Sequence, residues 1–161
     1  MHVLVATDGS RQSLDAARFL RATTDPSTIS KIAVVAVVSP LAAVPFATDG
    51  SDAGIDELSF RTAAEEATHA VAKTLADWGP TVSTHIYSGA PAAEIIKAAN
   101  RFNSGLIVLA STSTRTSAVL MGSVAHKVLN QAECPVLVHR PEPKKRKSVR
   151  KAVSKAKSTK K

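Results

Sequence analysis

Leu106 to Pro141 reads LIVLASTSTRTSAVLMGSVAHKVLNQAECPVLVHRP: an apolar run, a hydroxyl-rich loop, a Gly-Ser pair opening a helical stretch, and a second apolar run, VLVH. A buried strand feeding a loop that opens a helix is where α/β proteins bind phosphates. The first backbone N–H groups of a helix lack partners, and the aligned peptide dipoles place roughly +0.5 charge there, so an anion is stabilised at that end. Gly122-Ser123 occupies that position, with strand four expected over Leu106 to Leu109, helix four from about Ser117 to Gln131 and strand five over Val136 to His139.

The rest of the chain repeats the strand–helix alternation. Val3 to Ala6 is a short apolar run stopped by Thr-Asp-Gly-Ser, and a helix is expected from about Arg11 to Ala22, with Ser10 as its cap and Leu14, Ala17, Phe19 and Leu20 as its stripe. Ile32 to Val38 (IAVVAVV) is apolar throughout and rich in β-branched residues, as a central parallel strand covered on both faces requires. Residues 39 to 56 carry two prolines and two glycines without a period, which reads as a long loop. A second helix is expected from about Glu57 to Trp78, with Leu58, Ala64, Ala67, Val71, Leu75 and Trp78 on one face, ended by Gly79-Pro80. Val82 to Tyr87 gives a third strand. Gly89-Ala90-Pro91 then turns into a helix over Ala92 to Phe102, with proline tolerated in its first turn. Parallel strands need crossovers, and five strands alternating with four helices give an open doubly wound α/β sheet.

The chain has 161 residues, the size of one domain with an appendage. Composition is 44% hydrophobic but only 4% aromatic, so the core must be built from Val, Ile, Leu and Ala. The net charge of +8 is unevenly distributed: residues 141 to 161 hold ten Lys/Arg and one Glu, while residues 1 to 140 hold eleven basic and twelve acidic side chains. The basicity is therefore a property of the C-terminal segment and not of the domain. A single cysteine, Cys134, excludes an internal disulfide framework and fits a reducing cytoplasm. The N-terminus runs straight into VLVA without a charged leader, and no apolar run approaches the roughly 20 residues a membrane span needs.

Three stretches together resemble the universal stress protein family: MHVLVATDGS at 1–10, YSGAPAAEIIKAA at 87–99, and the segment from Leu106 onward. The resemblance covers residues 1 to about 140. Nucleotide-binding members carry a loop of the form G-x2-G-x9-G-[ST] after the fourth strand. Here Gly122-Ser123 keeps its end, Ala110 and Ser113 stand at the first two glycine positions, and eight residues separate Ser113 from Gly122. The resemblance implies a five-stranded Rossmann-like parallel sheet of order 3-2-1-4-5 and a cytoplasmic stress-response or regulatory role. It also implies a homodimer paired through strand five, Val136 to His139. Carried over by position, ATP, with Mg, is held by Asp8, Val37, Ala110, Ser113, Gly122, Ser123 and Val124. In such sheets ligands bind beyond the carboxyl ends of the strands where the order reverses, here between strands one and four.

Read from the residues, the altered loop leaves two functions open. One is a nucleotide site in which the hydroxyls of Ser111, Thr112, Ser113, Thr114, Thr116 and Ser117, with Arg115, replace backbone contacts. The other is a solvated polar loop on a protein acting through partners. An aspartate before glycine is likewise both a ligand for a ribose or Mg²⁺ and a routine turn residue. A third function, slow ATP hydrolysis, is the most the chain suggests as an enzyme, since it offers no P-loop, nucleophile elbow or H-E-x-x-H. Its five histidines share no ligand spacing. Lys144 to Lys161 (KKRKSVRKAVSKAKSTKK) has little to bury, reads as a disordered tail beyond the domain, and resembles lysine-rich histone-H1-like tails. It is expected to contact nucleic acid without sequence preference, to serve as a solubilising extension, or to adhere to an anionic membrane surface without inserting, since it has no Phe, Trp or Leu.

Overall fold

The computed structural model describes residues 1–39, 53–111 and 121–140. The expected loop at 112–117, the greater part of the expected loop at 39–56, and the basic segment lie outside the described residues, in whole or in large part. Nine main elements follow in order: β1 (His2–Thr7), α1 (Arg11–Thr23), β2 (Lys31–Val38), α2 (Ala53–Leu75), β3 (Thr81–Ser88), α3 (Pro91–Arg101), β4 (Ser104–Ala110), α4 (Ser123–Gln131) and β5 (Val136–His139). A 3-10 turn, Pro26–Thr28, precedes β2.

The strands form one parallel sheet of order β3-β2-β1-β4-β5, as expected. Register is continuous from Val3↔Ile32 to Thr7↔Ala36 between β1 and β2, and from Lys31↔Thr81 to Val38↔Ser88 between β2 and β3. Between β1 and β4 it slips once, because His2 pairs with Ser104 and Val3 with Leu106. Gly105 is the unpaired residue, and an added Cβ there would sit 3.3 Å from the Met1 Cβ.

Each strand sends alternate residues to opposite faces, and both faces are covered. Val3, Val5, Ile32, Val34 and Val108 pack with Ala16, Ala17 and Leu20 of α1 and Val71 and Leu75 of α2. Leu4, Ala6, Val35, Ile107 and Leu109 pack on the other side with Ala92, Ile95 and Ala98 of α3 and with Ala125 and Val128 of α4. Alanine-rich helix faces let the helices approach the sheet closely, so two dry layers form with few aromatic rings.

Several boundaries differ from the sequence reading. Helix α2 starts at Ala53, within the segment read as loop, because a glycine in a helix costs only about 1 kcal/mol. It ends at Leu75 rather than Trp78, since Asp77 (φ 56°) and Gly79 (φ 124°) reverse the chain, leaving Trp78 half-buried against the α1/α2 core. Leu58 is 68% exposed, because the buried face of α2 begins only at Ala64. Phe19, placed on the α1 stripe, is 43% exposed. The buried face of α1 runs instead through Ser13, Ala16, Ala17 and Leu20, and the Phe19 ring turns to the flank, 5.4 Å from the His139 ring on β5. Helix α4 begins at Ser123 and not near Ser117, because Gly122 is extended (φ −52°, ψ 149°) and forms its N-cap. Among the described residues no helix is long and apolar enough to cross a membrane.

Candidate functional site

The turn after β1 is fixed by a chain of hydroxyls. The Gly9 N–H donates to Thr7 Oγ1 at 3.2 Å, Thr7 Oγ1 lies 2.9 Å from Ser13 Oγ, and Ser13 Oγ donates to the Ser10 carbonyl at 2.8 Å. With Ser13 donating onward, Thr7 is the donor between the two hydroxyls, and each link is satisfied. Ser10 caps α1 by accepting from the Ser13 N–H at 3.2 Å. Asp8 Oδ1 accepts from the Ser10 N–H at 3.0 Å. Its other carboxylate oxygen makes no hydrogen bond among the described residues and is available to a ligand. Gly9 takes φ 76°, which lets the chain turn immediately after Asp8.

Across from this turn lies the start of α4. Its N-cap is Gly122, with no side-chain cap, so the N–H groups of Ser123, Val124 and Ala125 have no intrahelical acceptor. The first hydrogen bond into the helix runs from the His126 N–H to the Gly122 carbonyl at 2.9 Å. The adjacency of β1 and β4 brings these two turns to one end of the sheet.

Between them is a cleft of about 190 Å³, lined by Asp8, Val37, Ala110, Gly122, Ser123 and Val124 together with Thr7, Ser13, Pro91 and Ile95. Six of the seven positions named from the sequence therefore share one cavity; Ser113 lies outside the described residues. A second depression of about 640 Å³ adjoins it at Asp8 and Val37 and runs between the ends of β1 and β2 and the Phe60 to Ala70 stretch of α2. The first cleft pairs an apolar wall with a polar rim of hydroxyls, one carboxylate and unpaired helix amides, a donor set that suits a flat apolar group joined to an anion.

Ser13 and Ile95 were not singled out from the sequence, and Thr7 and Pro91 were read only as a strand-end turn residue and a helix start. Only Ser13 left a signal: it is a serine at a position where the α1 stripe calls for an apolar side chain, and it is 2% exposed.

The other reactive side chains stay apart from the cleft. Burial pushes the Cys134 thiol up, and its side chain packs against the α3/α4 core. His2 bonds the Phe102 carbonyl through Nδ1 at 2.8 Å, His69 the Glu65 carbonyl at 3.0 Å, and His126 contacts Asn130. Among the described residues no three His, Cys, Asp or Glu side chains are grouped to hold a metal ion.

Comparison with known proteins agrees with the architecture. The chain is 36% identical over 145 residues to universal stress protein MJ0531 of Methanocaldococcus jannaschii, covering 89% of this chain and 83% of that protein. The solved structure of MJ0577 superposes with a TM-score of 0.73 at 22% identity, covering 88% of this chain and 96% of that one. A universal stress protein family protein of Arabidopsis thaliana, solved with AMP bound, superposes at 0.61 with 18% identity, covering 88% and 92%. At these identities the two structures speak for the fold. Residues 1–140 match the universal stress protein family, and with a parallel sheet of order β3-β2-β1-β4-β5 the chain belongs to that family.

Proposed function

We propose that the protein is a cytoplasmic stress-response binding module whose cleft between β1 and β4 takes an adenine nucleotide. What carries the reading is the pairing, in one cavity, of the Asp8 turn with the uncapped start of α4. Val37, Pro91 and Ile95 supply a wall for the base, Asp8 faces the ribose or a phosphate-bound Mg²⁺, and the amides after Gly122 receive a phosphate. The AMP complex of the Arabidopsis relative supports nucleotide as the ligand class. Ala110 adds a Cβ where a glycine would let the backbone approach phosphate, so a shorter phosphate chain fits better than a fully wrapped triphosphate.

Isothermal titration with Mg-ATP and with AMP tests this. Binding of either, weakened at least tenfold in Asp8→Ala, is the expected outcome. No heat at saturating protein with both ligands would remove nucleotide from the account.

A homodimer through β5 belongs to the same reading. Among the described residues, that strand ends the sheet with one edge unpaired, and the exposed Phe19 ring lies beside its last residue, His139. A second reading follows from the ten Lys/Arg beyond Arg140, which suit salt-sensitive attachment to nucleic acid. A chain ending at Arg140 is then expected to retard DNA less than the full chain at low salt, and equal retardation would refute the idea.

A further inference from the structure

β3 is the opposite edge of the sheet, and its two faces are unequally covered. Helix α2 packs across β2 and β3 on one side, while α3 and α4 sit over the middle of the sheet and over β5 on the other. The register Val35↔His85 and Val37↔Tyr87 turns His85 and Tyr87 to the α3/α4 side, where β3 has little helix above it. There the rings of His85 and Tyr87 lie nearly parallel, 12° apart with centroids at 6.4 Å. Phe102, just beyond α3, brings its ring 4.7 Å from His85. Ser83 Oγ holds His85 Nε2 at 2.9 Å. Beside the rings is Arg101, exposed and without an ion pair or hydrogen bond among the described residues.

His85, Tyr87, Phe102 and Arg101, with Thr84 and Ile86, line a shallow depression of about 360 Å³ with no carboxylate among its described lining residues. The chain has only four Phe, one Tyr and one Trp, and two of those six rings meet a histidine and an unpaired guanidinium at this edge. The exposed residues of β3, Thr81, Ser83, Thr84 and Ser88, are polar, as a solvent-facing edge requires. Half-buried rings beside an unpaired cation instead form a surface for a flat π-system joined to an anion. Burial, and then the Arg101 charge, hold His85 below the ordinary histidine range, so near neutral pH its ring is uncharged and the patch carries one positive charge.

We propose that this edge is a stacking platform for single-stranded nucleic acid, with an unpaired base against Tyr87 and Phe102 and the adjoining phosphate on Arg101. The single guanidinium matches one phosphate and not a di- or triphosphate. The domain itself is nearly neutral, and the ten Lys/Arg beyond Arg140 supply the charge that draws a polyanion toward the chain. The platform is distinct from the β1/β4 cleft and does not depend on nucleotide binding there.

Tyr87 is the chain's only tyrosine, so ring-labelled tyrosine gives a single NMR reporter in the full-length protein. Titration with an eight-residue oligothymidylate is expected to move the Tyr87 ring signals, and Tyr87→Leu and Arg101→Gln are each expected to weaken binding about tenfold. Inorganic polyphosphate of matched charge, which engages basic residues without stacking, is expected to leave those signals in place. The wild-type titration decides the matter even if a variant folds poorly. The proposal is overturned if the signals stay fixed at saturating oligothymidylate. It is equally overturned if polyphosphate, thymidine monophosphate or an acidic peptide moves them as far at equal charge.

Discussion

Gly89 shows how much a single residue fixes. It sits at φ 149°, donates its N–H to the Val38 carbonyl at 3.0 Å, and hands the chain from β3 to α3. A Cβ there would lie 2.9 Å from Glu94 Cγ; that side chain can yield, but the backbone conformation cannot. Gly89→Ala is therefore expected to lower stability by about 2 kcal/mol, read as a shift of the urea midpoint at unchanged slope. His85 makes a prediction in pH. Its folded pKa lies below the ordinary 6.5, chiefly through burial, so the unfolded chain takes up the proton first. The neutral ring's contribution is complete above 6.5 and is lost as pH falls from there toward the lowered folded value. Replacing His85 by Asn should flatten the stability profile just below that point, and an unchanged profile would count against the assignment. Neither effect was legible in the sequence: the glycine read only as a turn, and the histidine only as one of five scattered ones.

Elements were readable where periodicity was strong. IAVVAVV reads as a strand covered on both faces, and β1, β2, β4 and β5 fell where apolar runs stood, while β3 (TVSTHIYS) is a mixed polar and apolar edge strand. Helix ends were less legible because tertiary contacts set them. Helix α2 ends at Leu75 partly because Arg21 of α1 donates to the Thr74 and Ala76 carbonyls at 2.8 and 2.9 Å, satisfying groups that a continuing helix would have bonded. That contact joins residues more than fifty positions apart, and no local pattern announces it. Arg21→Met keeps the stem and removes the cap, and is expected to cost about 1 kcal/mol in urea unfolding. Phe19 is a second example: its spacing fits the α1 stripe, but the stripe turns by one residue to bury Ser13, whose hydroxyl is needed under the Asp8 turn. The candidate cleft was legible through the family resemblance, which implied the strand order that puts the Asp8 turn beside Gly122. Its hydroxyl floor was not, since Thr7 and Ser13 read as ordinary strand-end and helix residues.

At the scale of the whole molecule the sheet has two unlike edges. The β5 edge is short, with four half-buried residues and the exposed Phe19 ring beside its end. The β3 edge is eight residues long and carries the aromatic and cationic cluster. The proposed dimer uses the first and leaves the second free. Sedimentation at micromolar concentration is expected to give twice the chain mass, and Phe19→Asp to shift the population toward single chains. A single-chain mass for the unaltered protein would remove the dimer.

The sheet's interleaved order also bears on how the molecule is made. β1 leaves the ribosome before the other strands and is paired on one side by β2, yet its other neighbour does not begin until Ser104. Until β4 follows, the middle strand, with Val3, Leu4 and Val5, has one side unsealed, and a fragment released before β4 would present that apolar edge to other chains.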